Sequence, residues 1–190
     1  MVSRRAVLAA SIGTGLGLYL PWPARAQATL SDDGLYREPW FLESFLELAD
    51  DLDSAAGNGK RFAVMWELRG CPYCRETHLV NFARPDIAEF VRRRFDILQL
   101  NTIGAREVTD FDGEKLSEKQ LAEKYGIRFT PTFQFFPEHA DGLAARKPRE
   151  REVARAQGYL LPDHFLALFK FVSERAYEKG SLHDYLKASS

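Results

Sequence analysis

Apolar positions recur along the chain with two periods, and the period changes at glycines and prolines. Over Glu38 to Asp53, Trp40, Phe41, Phe45, Leu48 and Leu52 fall at helical spacing, which predicts an amphipathic helix. Gly57-Asn58-Gly59-Lys60 reads as a turn, and the short run Arg61 to Leu68 after it as a buried strand. Gly70 to Arg94 then reads as a helix, bent or interrupted near Pro85, where the missing N–H breaks the ladder. Phe95 to Asn101 is the next strand. Ser117 to Tyr125 is a helix whose start carries a capping box, Ser117 with Gln120, and whose end is Gly126.

Ile127 to Phe136 holds another apolar strand, interrupted by Pro131. Glu152 to Gln157 reads as a strand ending in a turn or bulge at Gly158, and Leu161 to Tyr177 as a terminal helix. Pro162 sits in that helix's first turn, and Phe165, Leu168, Phe169 and Val172 face inward. Trp66 is expected in the core and Trp40 under the N-terminal helix. The order α-β-α-β-α-β-β-α predicts an α/β class, with helices on both faces of a central sheet. The charged stretch Glu138 to Glu152 is expected to be the most mobile loop, its Arg146 to Glu152 segment a solvated hairpin tip. Arg92, Arg93 and Arg94 at a helix end read as dipole-compensating charges.

The first residues follow a different pattern. Arg4 and Arg5 precede a charge-free, mostly apolar run from Ala6 to Leu20, Pro21 and Pro23 break it, and Ala24-Arg25-Ala26 places small residues at a cleavage site. The run is shorter than the roughly 20 residues a span needs, so 1–26 is expected to be a cleavable export signal, with Ala26-Gln27-Ala28 the alternative site. Ser3-Arg4-Arg5-Ala6-Val7-Leu8 resembles the twin-arginine signal; a general secretory signal is the other reading. A periplasmic mature protein is therefore expected, 27–190, not membrane-spanning after cleavage.

Composition narrows the class. A chain of 190 residues with 45% hydrophobic and 13% aromatic residues suits one globular domain and excludes a disordered chain. The formal charge of −1 gives no footprint of a nucleic-acid binder. Only 2 cysteines are present, so no disulfide-stapled scaffold is built.

Those cysteines are Cys71 and Cys74 in Cys71-Pro72-Tyr73-Cys74, where a buried strand hands over to a helix. A helix start favours negative charge, so Cys71 is expected to be a stabilised thiolate, with Cys74 one turn along and close enough for a disulfide. Pro72 suits the first helical position, and Arg75 adds positive charge nearby. A structural disulfide would close too short a loop to stabilise the fold. A metal site would need ligands beyond Cys74-x₃-His78, and none has the right spacing. Covalent haem needs His directly after the second Cys, and residue 75 is Arg. His78, one turn beyond Cys74, reads as a surface or packed histidine, with a residue that tunes the thiols as the alternative. Phe129-Thr130-Pro131-Thr132 places a proline inside an apolar strand, a conflict that a cis Thr130–Pro131 bond would remove.

Gly59-Lys60, the apolar strand, Gly70-Cys-Pro-Tyr-Cys-Arg75, Gly126-Ile127 and Thr130-Pro131-Thr132 together resemble the thioredoxin superfamily, over residues 40 to 178. That resemblance implies a thioredoxin-like fold with a central mixed sheet. It implies Cys71 as nucleophile, Cys74 as resolving thiol, and a cis Pro131 opposite the disulfide. Thr130, Pro131, Pro72 and Tyr73 would contact an extended substrate segment by β-like pairing. The run from Met65 to His78, the Phe111-Asp112-Gly113 turn and Gly158-Tyr159 look most like exported SoxW-type thioredoxins.

The SoxW-type resemblance implies a periplasmic protein-disulfide reductase fed by a CcdA/DsbD-type membrane electron donor. It would act as a monomer on protein thiols and disulfides, with no cofactor beyond the Cys71–Cys74 dithiol. The alternatives are a DsbA/DsbC-like oxidase or isomerase, or a non-catalytic binding or chaperone module. Thioredoxins bury an Asp six residues before the first Cys; Met65 stands there in this chain. Glu67, on the same strand face, is the expected substitute proton relay, a paired or water-exposed Glu at the strand end being the alternative.

Overall fold

The computed structural model describes residues 28–188; the expected export signal lies outside them. Eight strands and six α-helices are found among these residues. Thr29–Leu30 (β1) and Tyr36–Arg37 (β2) form a small antiparallel ladder. Leu48–Gly57 is α1, Arg61–Glu67 β3, Pro72–Glu76 α2, Pro85–Arg94 α3 and Phe95–Asn101 β4. Glu107–Thr109 (β5) and Lys115–Ser117 (β6) form a second antiparallel pair. The chain continues through Glu118–Lys124 (α4), Thr132–Phe135 (β7), Ala154–Gln157 (β8), Pro162–Ser173 (α5) and Leu182–Ala188 (α6).

The central sheet has the order β4-β3-β7-β8. β3 is parallel to β4, with Arg61 opposite Phe95 and Glu67 opposite Asn101, and antiparallel to β7, with Met65 opposite Phe133. The sheet is therefore mixed, as expected. Period-2 alternation splits β3 between two cores. Ala63 and Met65 join Ile87 and Val91 of α3 and Phe165, Leu168, Phe169 and Val172 of α5. Phe62, Val64 and Trp66 join Leu48 and Leu52 of α1 and Leu121 of α4. Helices cover both faces, and Trp66 lies in the core.

Four expectations need correction. The N-terminal helix does not begin at Glu38: Leu46 adopts φ 65, and α1 starts at Leu48. Trp40 and Phe41 pack on the α3/α5 side of the sheet while Leu48 and Leu52 pack on the other. One helix face cannot serve both cores, so residues 38–47 run across the sheet edge, tied by Leu42 N–H to the Ile97 carbonyl and Thr109 N–H to the Leu46 carbonyl. For the same reason Trp40 is not under the N-terminal helix; it sits edge-on to Phe41 and Phe82.

The second helix, by contrast, is interrupted near Pro85 as expected: α2 passes into a π-turn, Thr77–Asn81, before α3 restarts with Pro85 in its first turn. The terminal helix stops at Ser173, where Arg175 takes a left-handed conformation with φ 56. Finally, the charged Arg146–Glu152 stretch is only partly a solvated tip: Arg146, Lys147, Arg149 and Glu150 are exposed, but its end is anchored. Arg151 is buried, donating to Asp110 at 2.7 Å, Asp112 at 2.8 Å and the Tyr125 hydroxyl at 3.1 Å. Lys124 meets the same carboxylates, so paired charges anchor the segment under β5–β6.

Candidate active site at the end of strand β3

β3 delivers the chain to the cysteines through Leu68-Arg69-Gly70. Gly70 has φ 77, a conformation that L side chains rarely adopt, and the turn closes with Cys71 N–H on the Leu68 carbonyl at 3.1 Å. Cys71 is the N-cap of α2, with Pro72 in the first turn. Cys71 and Cys74 form a disulfide with Cα atoms 5.3 Å apart. The Cys71 sulfur accepts the Cys74 backbone N–H at 3.1 Å. A backbone donor aimed at Sγ favours the thiolate once the bond is reduced. Cys71 is part-exposed and Cys74 is only 4% exposed. An outside sulfur can therefore reach Cys71 but not Cys74.

Opposite stands the Thr130–Pro131 peptide, which is cis. The Thr130 carbonyl oxygen lies 3.5 Å from the Cys71 sulfur. Pro131 is buried, and its carbonyl accepts the Gly158 N–H at 2.8 Å, linking this loop to the end of β8. Exposed apolar groups lie in the segments that build this site: Tyr73 between the cysteines at 59%, Phe129 before Thr130 at 62% and Leu161 two residues after Tyr159 at 64% exposure. Tyr73 stacks on Tyr159 with ring centroids 6.1 Å apart. Asn81 of the π-turn holds the Tyr159 loop, accepting from its hydroxyl at 3.1 Å and donating to the Leu160 carbonyl at 2.9 Å.

Glu67 is neither solvent-facing nor alone. It is 1% exposed, and both carboxylate oxygens lie 3.2 Å from His78 Nε2. His78 Nδ1 meets Glu38 Oε1 at 3.0 Å. The Gln99 amide donates to Glu67 and, at 2.6 Å, to the Tyr36 carbonyl. The imidazole sits between Tyr36, Phe41 and Phe82. Burial alone would lower its pKa; the two carboxylates outweigh that and hold it up to about 9. His78 is thus packed and buried, not on the surface, and the carboxylates favour its imidazolium form. Its position four residues after Cys74, on the same buried side, was the available signal. Glu38 and Gln99 gave none, because they reach the site from the residue after β2 and from β4.

Cys71, Cys74, Pro72, Tyr73, Thr130 and Pro131 therefore converge on one face, and Glu67 lies beneath, at the end of β3. Among the described residues no group of three or more His, Cys, Asp or Glu is arranged to hold a metal ion. No helix among them is long and apolar enough to cross a membrane.

Comparison with solved structures shows the same fold. A thioredoxin-fold protein from Helicobacter pylori aligns with a TM-score of 0.51 and 19% identity, covering 69% of this chain and 84% of that one. A thioredoxin from Thermus thermophilus aligns with a TM-score of 0.50 and 21% identity, covering 70% and 89%. No curated protein sequence matches the chain. The family profile of the thioredoxin-like domain matches residues 48–173, from the start of α1 to the end of α5. By its sequence match, its mixed sheet and its C-x-x-C disulfide facing a cis-proline, this chain belongs to the thioredoxin-like domain family.

Proposed function

We propose that this chain is an exported thiol–disulfide oxidoreductase that reduces protein disulfides in the periplasm, in the manner of SoxW-type thioredoxins. The observation that carries the reading is the asymmetry of the two sulfurs. Cys71 is part-exposed beside the Thr130 carbonyl, and Cys74 is buried behind it.

In this reading the Cys71 thiolate attacks a substrate disulfide, forming a mixed disulfide and releasing one substrate thiolate. Glu67 takes the proton of Cys74. The Cys74 thiolate then attacks the Cys71 sulfur, restoring the Cys71–Cys74 disulfide and releasing the second substrate thiolate. Two electrons pass to the substrate, and a CcdA/DsbD-type membrane dithiol returns them. Thr130 and Pro131 present backbone to an extended substrate segment, with Pro72 and Tyr73 alongside. No group beyond the dithiol is required. The pattern of residues 1–26, which reads as an export signal, supports the location.

Two measurements test this. Cys74→Ser should trap substrate proteins as mixed disulfides on Cys71, and Cys71→Ser should trap none. Equal behaviour of the two variants would favour a binding module. The reduction potential decides direction: a value toward roughly −270 mV fits a reductase, and one toward about −120 mV an oxidase of the DsbA kind.

A further inference from the structure

The Glu38–His78–Glu67 unit is a costly thing to bury. A charged group removed from water is retained only when it is paired and hydrogen-bonded. Here one histidine lies between two acidic side chains, and a single imidazolium can balance the charge of only one of them. Every polar hydrogen of the imidazolium is used, on Glu38 and on Glu67. Packing needs none of this, since aromatic rings surround the site on its other sides.

The unit is also tied to the buried cysteine through the chain. Cys74 of α2 and His78 of the π-turn that continues it are four residues apart, about one helical turn, and both are buried. A buried thiol needs a nearby acceptor before it can act as a nucleophile. The surrounding titratable and charged groups are few: Tyr36 and Arg37 from β2, Cys74 from α2, and Arg106, whose guanidinium donates to the Gln99 carbonyl at 2.9 Å. Arg37 donates to Gln99 Oε1 at 3.2 Å, so among the described residues the only cation bonded to either carboxylate is His78.

We propose that Glu38 and His78 are positioning residues for the resolving step: with Glu67 they form one buried unit that takes up the Cys74 proton, making the Tyr36–Glu38 segment a working part of the redox site. This deepens the oxidoreductase reading and rests on it. Cys74–SH gives its proton to the Glu67 carboxylate, the unit's charge goes from −1 to neutral, and the Cys74 thiolate displaces the substrate thiolate from Cys71. His78 keeps both of its protons and holds the two carboxylates apart. When the membrane dithiol reduces Cys71–Cys74 again, the proton returns to Cys74.

The test follows reduced full-length protein mixed with excess dithiobis-nitrobenzoate by stopped flow. Attack by Cys71 releases one coloured thiolate, and resolution by Cys74 releases a second. In Glu38→Gln the unit is already neutral and takes a proton less readily. Its second phase should slow about tenfold at neutral pH, and its pH dependence should move to lower pH. In His78→Gln two adjacent carboxylates share a proton, so the second phase should be recovered only at higher pH. The first phase should keep the wild-type rate in both. Opposite displacements support the proposal. An unmoved pH dependence in Glu38→Gln overturns it, even if the rate falls, and this isosteric variant decides alone should His78→Gln not fold. Absence of a fast first phase in the wild type would instead overturn the oxidoreductase reading, and the proposal with it.

Discussion

His78 and Glu67 face each other at 3.2 Å with their side chains almost fully buried, one from the π-turn and the other from the end of β3. The contact links stability to pH. Burial works against the imidazolium, but Glu38 and Glu67 raise its pKa to about 9 in the fold, against 6.5 when unpaired. A pKa raised by folding contributes stability that is fully present below the unfolded value and lost as pH rises through the folded one. Unfolding free energy should therefore decline between about pH 6.5 and pH 9, by about 3 kcal/mol in all. Urea titrations of the oxidised protein across that range check it. His78→Gln should remove this decline, and a wild-type profile flat over the window would refute the linkage.

Arg151 makes a second prediction, for stability alone. Its guanidinium is buried against Asp110, Asp112 and the Tyr125 hydroxyl. Bonding to Arg151 and Lys124 outweighs burial and holds the Asp112 carboxyl well below its usual range. Arg151→Ala leaves Asp110 buried with Lys124 as its remaining cation, and should cost about 3–5 kcal/mol. Thermal unfolding measures that loss. A change under about 1 kcal/mol would mean the segment is held by its other contacts, such as buried Leu143.

Gly104 is also constrained, though no turn demands it. A Cβ there would lie 2.0 Å from Glu118 Oε2. That carboxylate is fixed: it accepts from Asn101 N–H at 2.9 Å and from the Arg106 guanidinium at 2.6 Å. Gly104→Ala must therefore break those bonds or shift the loop after β4, and should cost about 2 kcal/mol. Chemical denaturation is the readout, and a neutral Gly104→Ala would show that Glu118 rearranges freely.

The parts of this architecture that were legible in the sequence are those set by local chemistry. β3 and β4 are short apolar runs bounded by turns, and they fall where the pattern places them. The Ser117–Gln120 capping box is formed in full at the start of α4. The cysteines and Pro131 were legible because each has few structural alternatives in its setting. What the pattern hid depends on which side of the sheet a side chain reaches. Trp40 and Leu48 share a helical spacing but belong to opposite cores. Glu38 and Arg151 look like surface charges in a linear reading. Each becomes buried only because residues 40 positions away, in the case of Glu38 with His78, or 41 positions away, in the case of Arg151 with Asp110, supply its partner. Long-range pairing of this kind leaves no periodic trace.

The apolar rim carries the last prediction. Phe129 and Leu161 expose 62% and 64% of their surface, and Leu161 lies two residues after Tyr159, which stacks on Tyr73. Phe129 immediately precedes Thr130, whose carbonyl approaches the Cys71 sulfur. Large exposed apolar groups clustered around a reactive centre are where a partner gains contact area. They lie outside the sulfur chemistry, so their loss should weaken binding of the ground and transition states alike. Phe129→Ala should therefore raise KM for a protein disulfide about 5–10-fold with little change in kcat, a loss of about 1–1.4 kcal/mol. Leu161→Ala should do so to a smaller extent, since it removes less area. Steady-state kinetics on a reducible protein substrate separates the two constants. A fall in kcat at constant KM would place Phe129 in the chemical step instead, as a residue that sets the position of the Thr130 carbonyl.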